Sequence, residues 1–275
     1  MKLSIITVNY NNKAGLQKTI DSVVAQTWRD FEWIIIDGGS TDGSKELIER
    51  YQQHFSYWCS EPDKGVYNAM NKGIMYAHGD YVNFMNSGDV FHDKEVLATL
   101  FRKKIYGDIL IGQVKCMGVD WIVNQFPQKD CIVDWQRVNE GFCHQGTFTK
   151  LELLKAHPFD ETLKIVADWK FWCQTIIFDN KSIQNLDFIV ADYDLNGISA
   201  DPQNDEIHGM ERELVIKSLF PPIILNEIQA YQTLRNTSYV LNMSYLERNS
   251  HYVFVFLRKL ISFFFRISQR EMRVK

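Results

Sequence analysis

The feature that most constrains the fold is an arrangement repeated in the first third of the chain, in which a short apolar run is followed by a polar, acid-bearing loop. Residues 3–8, 31–36 and 81–85 are such runs and are typical of buried strands. The stretches between them have helical spacing, with Leu16 and Ile20 on one face of the first. This alternation predicts β-α-β units and a parallel sheet.

Each predicted strand in this region ends near an acid. Asp37 ends the second strand, a third strand near residues 57–60 precedes Asp63, and Asp89 follows the fourth. Ligands of open α/β sheets bind outside the carboxyl ends of the strands. We therefore expect Asp37, Asp63 and Asp89 to converge on one cleft.

The remainder of the chain is less regular. A helix near residues 169–172 lies between short strand-like runs at 109–111 and 188–190, and two prolines at 221–222 break the chain before a further helical stretch. We predict one Rossmann-like α/β domain over residues 1–215, with a mixed central sheet, and a helical C-terminal extension over residues 216–275. Ser40 or Thr41 is a plausible cap for the helix that follows the second strand.

Composition excludes several classes of protein. The chain has 275 residues, of which 45% are hydrophobic and 23% charged, typical of a globular protein. Its net charge of −4 argues against nucleic-acid binding. The five cysteines form no CxxC pair and no export signal precedes the first strand, so we expect reduced thiols and a cytoplasmic location. The sequence contains neither a dinucleotide-binding GxGxxG nor a P-loop.

The order of the polar segments resembles the family 2 glycosyltransferases of the GT-A fold. The resemblance is carried by IITVNYNN at 5–12, DSVVAQT at 21–27, IIDGGSTDGS at 35–44 and YVNFMNSGD at 81–89. The run from Ser60 to Gly73 is similar to a subgroup found in O-antigen and capsule biosynthesis. The resemblance implies an enzyme that transfers a sugar from a nucleotide-diphosphate donor to a glycan or lipid-linked acceptor. The expected nucleotide is UDP.

The resemblance also implies roles for residues on the donor side. Tyr10 would line the nucleotide base, Asp37 would accept a hydrogen bond from it, and Asp63 would flank the same pocket. Asp89 matches the last acid of the family's metal motif and would hold Mg²⁺ or Mn²⁺ against the donor diphosphate. Ser87 stands where the family often has another acid, which leaves Asp89 to hold the metal directly. Two further expected substrate-binding residues are Lys64 and Asn86.

Asp168 resembles the family's general base. A carboxylate in that role takes the proton of the attacking hydroxyl, and a single backside displacement then inverts the anomeric centre. His144, predicted on a strand under the acceptor site, would orient the acceptor or the base. His208 is expected on a flexible loop, within reach of the metal or the diphosphate.

The C-terminal tail is aromatic and basic. Residues 246–275 hold seven basic and two acidic side chains, a net charge of +5. An amphipathic segment of this kind binds anionic membrane interfaces, which would place the protein at the inner face of the plasma membrane. The alternative is a helix packed on the catalytic domain or on a second copy in a homodimer.

Two other functions remain open at this stage. A non-catalytic nucleotide-sugar-binding scaffold at the membrane would keep Asp37 but lack a working base, and the serine at position 87 favours it. A nucleotidyltransferase that makes the donor would need a glycine- and lysine- or arginine-rich loop after the first strand. Residues 9–12 do not supply that loop.

Overall fold

A computed structural model describes residues 2–123, 135–195, 197, 200–235, 245, 250, 252–253 and 255–260. The chain divides into two compact units, Met1–Glu213 and Leu214–Lys275. The predicted α/β class is confirmed for the first unit, and helices follow in the second.

A mixed sheet of nine strands forms the centre of the described part of the first unit. Its order is β3-β2-β1-β4-β8-β6-β9-β5, with β7 paired to β6 alone. The strands are β1 Leu3–Asn9, β2 Phe31–Asp37, β3 Tyr57–Ser60, β4 Tyr81–Phe84, β5 Val90–Phe91, β6 Ile109–Cys116, β7 Ile122–Val123, β8 Thr147–Lys150 and β9 Ile183–Tyr193.

The four strands expected from the sequence form one parallel half of this sheet. β1 pairs in parallel with both β2 and β4, and β2 pairs in parallel with β3. All seven residues of β1 are buried, as expected for a parallel strand covered on both faces. The shared direction brings Asn9, Asp37 and Ser60 to the same edge of the sheet, because each of these residues ends its strand.

The other half is mixed and was only partly visible in the sequence. β8 joins the halves by pairing antiparallel with β4 and with β6. β6 runs parallel to β9, with an irregular register between Ile111 and Val114. Phe148 at the centre of β8 is fully buried and packs in the core with Leu110 of β6 and Trp33 of β2.

Nine α-helices lie within the described residues, and α9 belongs to the second unit. Their bounds are α1 Lys13–Val24, α2 Ser44–Tyr51, α3 Val66–Tyr76, α4 Val96–Arg102, α5 Trp135–Glu140, α6 Leu151–Ala156, α7 Ala167–Trp172, α8 Asp205–Leu219 and α9 Pro222–Arg235. A wider helical turn continues α7 over Cys173–Phe178. α3 packs closely on the sheet at Gly73, where a Cβ atom would lie 2.5 Å from Ile6.

The expected helix cap at Ser40 or Thr41 is wrong. α2 begins at Ser44, and Gly43 before it has a φ of 92°, which favours glycine. Asp42 accepts hydrogen bonds from the backbone and side chain of Ser44. Ser40 instead donates to Asp37, so its hydroxyl is part of the strand-end network.

The tail prediction falls largely outside the described residues. Residues 252–253 and 255–260 are helical, and Tyr252, Phe256 and Leu260 are exposed. Over the part of the chain that the structure describes, no helix is long and apolar enough to cross a membrane. Membrane binding by the tail stays a prediction.

Candidate functional site

Asp37 lies beneath the edge of the parallel strands and is fully buried. Its Oδ1 accepts hydrogen bonds from Asn9 Nδ2 at 2.7 Å and Ser40 Oγ at 2.6 Å. Its Oδ2 accepts from the Ser40 amide at 2.9 Å and Ser60 Oγ at 2.6 Å. These four donors satisfy a carboxylate that would otherwise be costly to bury. A base contact by Asp37 stays a prediction, and it requires one of the two hydroxyls to turn away.

The ring of Tyr10 and the carboxylate of Asp63 lie next to Gly38, the residue after Asp37. Tyr10 is 67% exposed. A Cβ atom on Gly38 would lie 2.6 Å from Asp63 Oδ2 and 3.1 Å from the Tyr10 ring, so the glycine lets these two groups approach each other. Asp63 Oδ1 accepts from the Gly65 amide at 2.8 Å. Lys64, the next residue, is exposed, and its backbone amide donates a hydrogen bond to Asn68 Oδ1.

Asp89 lies at the base of a cleft and is only 5% exposed. Its carboxylate accepts from the Asp194 amide and from Gln145 Nε2, each at 3.0 Å. Burial raises the pKa of Asp89 to about 6, although the nearby His144 and the two hydrogen bonds oppose that rise. The Asp194 carboxylate lies next to Gly88, where an added Cβ atom would be 3.2 Å from Asp194 Oδ2.

Asp168 lies in the first turn of α7 and is held from three directions. Its Oδ1 accepts from the Trp169 amide at 2.8 Å and lies 3.1 Å from the Tyr67 hydroxyl, whose single proton also faces the Ile165 carbonyl oxygen at 2.5 Å. His144 Nδ1 lies 3.4 Å from its Oδ2, and His144 Nε2 lies 3.0 Å from Asn86 Nδ2. Burial and the adjacent Asp168 hold the pKa of Tyr67 well above its usual value, so the phenol keeps its proton, which the Ile165 carbonyl oxygen and the Asp168 carboxylate share.

The expected convergence of three acids is wrong in one respect. Asp89 and Asp168 line the same cleft, of about 160 Å³, together with Asn86 and His144. Asp37 has no exposed surface, and neither it nor Asp63 is among the residues lining this cleft. The carboxyl ends of the strands do meet at one edge, but the acids there divide into a group around Tyr10 and a group around Asp89.

His144 and His208 lie on elements other than those predicted. His144 begins a short helical turn, His144–Gly146, immediately before β8, rather than lying within a strand. His208 lies in α8 rather than on a loop, and it lines a second cleft of about 510 Å³. The two clefts share Asp168 and His144.

Several residues of the site were missed in the sequence. Tyr67 and Gln145 hold the carboxylates of Asp168 and Asp89, but nothing in the local sequence indicates which acid they contact. Asp194 follows the last residue of β9, which is the same strand-end position that singled out Asp37. This strand-end position was missed because the sequence indicated a strand only at residues 188–190, whereas β9 continues to Tyr193.

Comparison with known proteins gives a family match over the N-terminal half of the chain. Residues 4–149 match the model described as glycosyl transferase family 2. An uncharacterized glycosyltransferase of Mycobacterium tuberculosis is 29% identical over 219 residues, which is 77% of this chain and 82% of the relative. A PGL/p-HBAD biosynthesis glycosyltransferase from Mycobacterium bovis is 27% identical over 182 residues, covering 61% of this chain and 67% of that protein.

Solved structures with the same fold include residues 1–349 of TarS from S. aureus. That structure has a TM-score of 0.59 and 24% identity, and the match covers 70% of this chain and 60% of TarS 1–349. A mannosyltransferase from Pyrobaculum calidifontis, solved with GDP-Man and Mn²⁺, has a TM-score of 0.53 and 13% identity, with 87% of this chain and 82% of that chain covered. The expected GT-A fold is confirmed by these structures.

Proposed function

This chain belongs to glycosyltransferase family 2, and from that premise we propose that it transfers a sugar from a nucleotide-diphosphate donor to a hydroxyl of a surface glycan or lipid-linked acceptor, with inversion. The observation that carries the proposal is the shared cleft of Asp89 and Asp168. One acid is positioned for the donor diphosphate, and the other for the attacking hydroxyl.

The nucleotide is proposed to bind at the edge of the parallel strands. The exposed Tyr10 ring offers a stacking face for the base, and the Asp63 carboxylate beside Gly38 offers an acceptor for a base N–H. Lys64, exposed next to Asp63, is proposed to meet the nucleotide or its phosphates. A uridine donor is favoured because TarS, which shares the fold, has been solved with UDP and with UDP-GlcNAc.

The residues around Asp89 fit a hydrated divalent cation. Mg²⁺ and Mn²⁺ prefer oxygen ligands, keep several waters and need only one or two carboxylates beside substrate phosphates. Asp89 supplies one carboxylate and Asp194 lies next to it, while Asn86 Oδ1 is buried with no hydrogen-bond partner in the described residues. The described residues form no cluster of three His, Cys, Asp or Glu ligands. A bound cation would neutralise charge on the departing diphosphate.

Asp168 is proposed as the base that receives the acceptor proton. Its side chain is 19% exposed, so the carboxylate is within reach of the cleft while Tyr67 and the Trp169 amide fix its orientation. His144 connects the two sides of the cleft, because its Nδ1 faces Asp168 and its Nε2 faces the Asn86 amide. Asp168 Oδ2, the less restrained oxygen, would take the proton as the new glycosidic bond forms.

The test is a donor screen. Purified protein with Mn²⁺ is incubated with UDP-, GDP- and dTDP-sugars, and both nucleotide release and donor binding are measured. We expect one donor to bind and to release nucleotide slowly, and both signals to fall with a chelator and with Asp89→Ala. Lys18→Met, on the exposed side of α1, is the matched surface control. Metal-independent donor binding without any release would favour the scaffold instead.

The basic tail is proposed to hold the enzyme at an anionic membrane interface, where a lipid-linked acceptor would lie. Each cation near such a surface contributes about 1 kcal/mol. We expect the full chain to sediment with vesicles containing phosphatidylserine and not with pure phosphatidylcholine, and to be released by salt. Equal behaviour with the two vesicle types would contradict the proposal.

A further inference from the structure

A second cleft, of about 510 Å³, adjoins the first at Asp168 and His144, but Asp89 is not among its lining residues. Its lining combines aromatic side chains with the guanidinium of Arg212 and the imidazole of His208; the aromatic residues are Trp121, Phe142 and Trp169. If Asp89 marks the donor side, this cleft is where the acceptor would enter.

Arg212 is the unusual member of this lining. Its guanidinium is half-buried and lies 4.0 Å from the centre of the Trp169 ring. It donates to the backbone oxygen of Asn139, with the Asn139 side-chain oxygen at 3.4 Å. These partners are neutral, and within the described ranges no carboxylate lies within 4 Å of the guanidinium.

A half-buried cation with only neutral partners has lost water without gaining an opposite charge. Burial lowers the pKa of Arg212, although Asp168 partly opposes this. A guanidinium fork binds carboxylate or phosphate through two parallel hydrogen bonds. The position of Arg212 in an open cleft allows an incoming anion to supply that charge.

The position of Arg212 is fixed through Glu211, the residue immediately before it in α8. Glu211 Oε1 accepts from the Lys164 amide at 2.6 Å, and its Oε2 accepts from the Ile165 amide at 3.0 Å. This segment leads directly into α7, which carries Asp168. The contact therefore fixes the distance between the cation and the proposed base, as a site for a ligand that must present a hydroxyl to Asp168 requires.

We propose that the second cleft recognises an acceptor that carries an anionic group, a phosphate ester or a carboxylate, close to the hydroxyl that is glycosylated, and that Arg212 binds that group. The identification of the ligand as the acceptor rests on the proposed function, whereas the anion site itself does not. His208 faces the same cleft and would assist as a hydrogen-bond donor. Asp168 and Glu140 are the carboxylates that line it, so the anion must sit at the Arg212 end.

The test uses three small probes with a common hydroxylated three-carbon skeleton: the anions glycerol 3-phosphate and glycerate, and neutral glycerol. Binding to the full chain is followed by ligand-observed NMR with UDP and Mn²⁺ in excess, which keeps the donor side filled. We expect at least one anionic probe to bind about tenfold or more tightly than glycerol. A preference for glycerol 3-phosphate indicates a phosphate-bearing acceptor, and a preference for glycerate indicates a carboxylate.

Arg212→Met should abolish the difference between charged and neutral probes, and Arg212→Lys should restore part of it. Lys18→Met, a cation lost elsewhere on the surface, should leave it unchanged. Equal binding of all three probes by the unaltered protein overturns the proposal without any variant, so a misfolded Arg212→Met does not prevent a decision. The proposal is also overturned if an anionic probe binds in the absence of UDP and is displaced when UDP is added, because Arg212 would then bind the donor diphosphate.

These outcomes separate the inference from the proposed function. Anion binding needs no turnover, so an inactive protein that binds the anion through Arg212 would contradict sugar transfer and leave the anion site standing. An active transferase whose probes bind without regard to charge would contradict the anion site alone.

Discussion

The proposed donor side and the proposed acceptor side of this molecule are built in different ways. The donor side comes from residues 1–95, where consecutive parallel strands deliver their end residues to one edge. The acceptor side combines a turn before β8, the start of α7 and one face of α8, which are far apart in sequence. Asp37 on the first side is fully buried under four donors, while Asp168 on the second has three and remains 19% exposed.

That difference indicates different tasks for the two acids. A buried carboxylate whose oxygens all accept hydrogen bonds stabilises the local fold around a pocket, and its hydrogen bonds change little when a ligand binds. A partly exposed carboxylate with a fixed orientation can exchange a proton with a ligand. The comparison predicts that equivalent substitutions will affect activity on one side and stability on the other.

The largest effect is expected for Asp168→Asn. The amide cannot take the acceptor proton, so turnover should fall by roughly 10²- to 10⁴-fold, measured as sugar transfer at saturating donor. Donor affinity should be retained, because Asp168 lies on the acceptor side of the shared cleft. Unchanged turnover would remove Asp168 from the mechanism and with it the contrast between the two sides.

Asp37→Asn should instead destabilise the fold. The amide nitrogen of the asparagine is itself a donor and would face the groups that donate to the carboxylate oxygen in the unaltered protein. We therefore expect a loss of about 2–4 kcal/mol in the free energy of unfolding. Urea denaturation measures it, with the exposed Asp30→Asn as the matched control. Full stability combined with loss of uridine-nucleotide binding would show that Asp37 contacts the base directly, as the family resemblance implies.

Tyr10→Ala should weaken nucleotide binding without changing stability. Stacking of a base on an aromatic ring contributes about 1–3 kcal/mol, so we expect UDP to bind about tenfold more weakly. Tyr106→Ala removes a ring of similar exposure, 62% against 67%, and should leave UDP affinity unchanged. An equal loss in both variants would mean that Tyr10 acts only through general surface effects.

The smallest effect is expected for a structural acid near α7. Burial alone would raise the pKa of Asp160, but hydrogen bonds from Lys170 and Thr162 outweigh it and lower the pKa to about 2 from 3.8. Because the folded-state pKa is depressed, this contribution is present above pH 4 and is lost as the pH falls towards 2.

We expect Asp160→Asn to cost about 1–2 kcal/mol of unfolding free energy at neutral pH, and the deficit to shrink between pH 4 and pH 2. Urea titrations at several pH values would check this against Asp30→Asn. A deficit that does not depend on pH would assign the effect to packing rather than to the carboxylate charge.

The contrast between the two sides also explains what the sequence could predict. Strands β1 to β4 and the acids at their ends were predictable, because apolar runs and strand-end polar residues are local signals. The Asp168 network was predictable only in its central residue. Tyr67 reaches Asp168 from α3, 101 positions away, and Glu211 reaches the segment before α7 from α8. Contacts of this kind depend on tertiary packing, which leaves no pattern in the chain.

The cap prediction was wrong for a related reason. A serine after a strand is a good helix cap by propensity, but Asp37 is buried and needs donors, so the Ser40 hydroxyl is used there. The helix then begins later, after Gly43. A tertiary demand thus overrode a local preference, and it did so at the edge of the sheet where the nucleotide is proposed to bind.

The central claim is that the donor and acceptor sides meet in one cleft but are separable, with Asp89 serving the first and Asp168 the second. Titration calorimetry of UDP into the unaltered protein, Asp89→Ala and Asp168→Asn, each with and without Mn²⁺, tests it most directly. We predict that Mn²⁺ strengthens UDP binding in the unaltered protein and in Asp168→Asn, and that Asp89→Ala loses this enhancement. Loss of the enhancement in Asp168→Asn, or its survival in Asp89→Ala, would contradict the account.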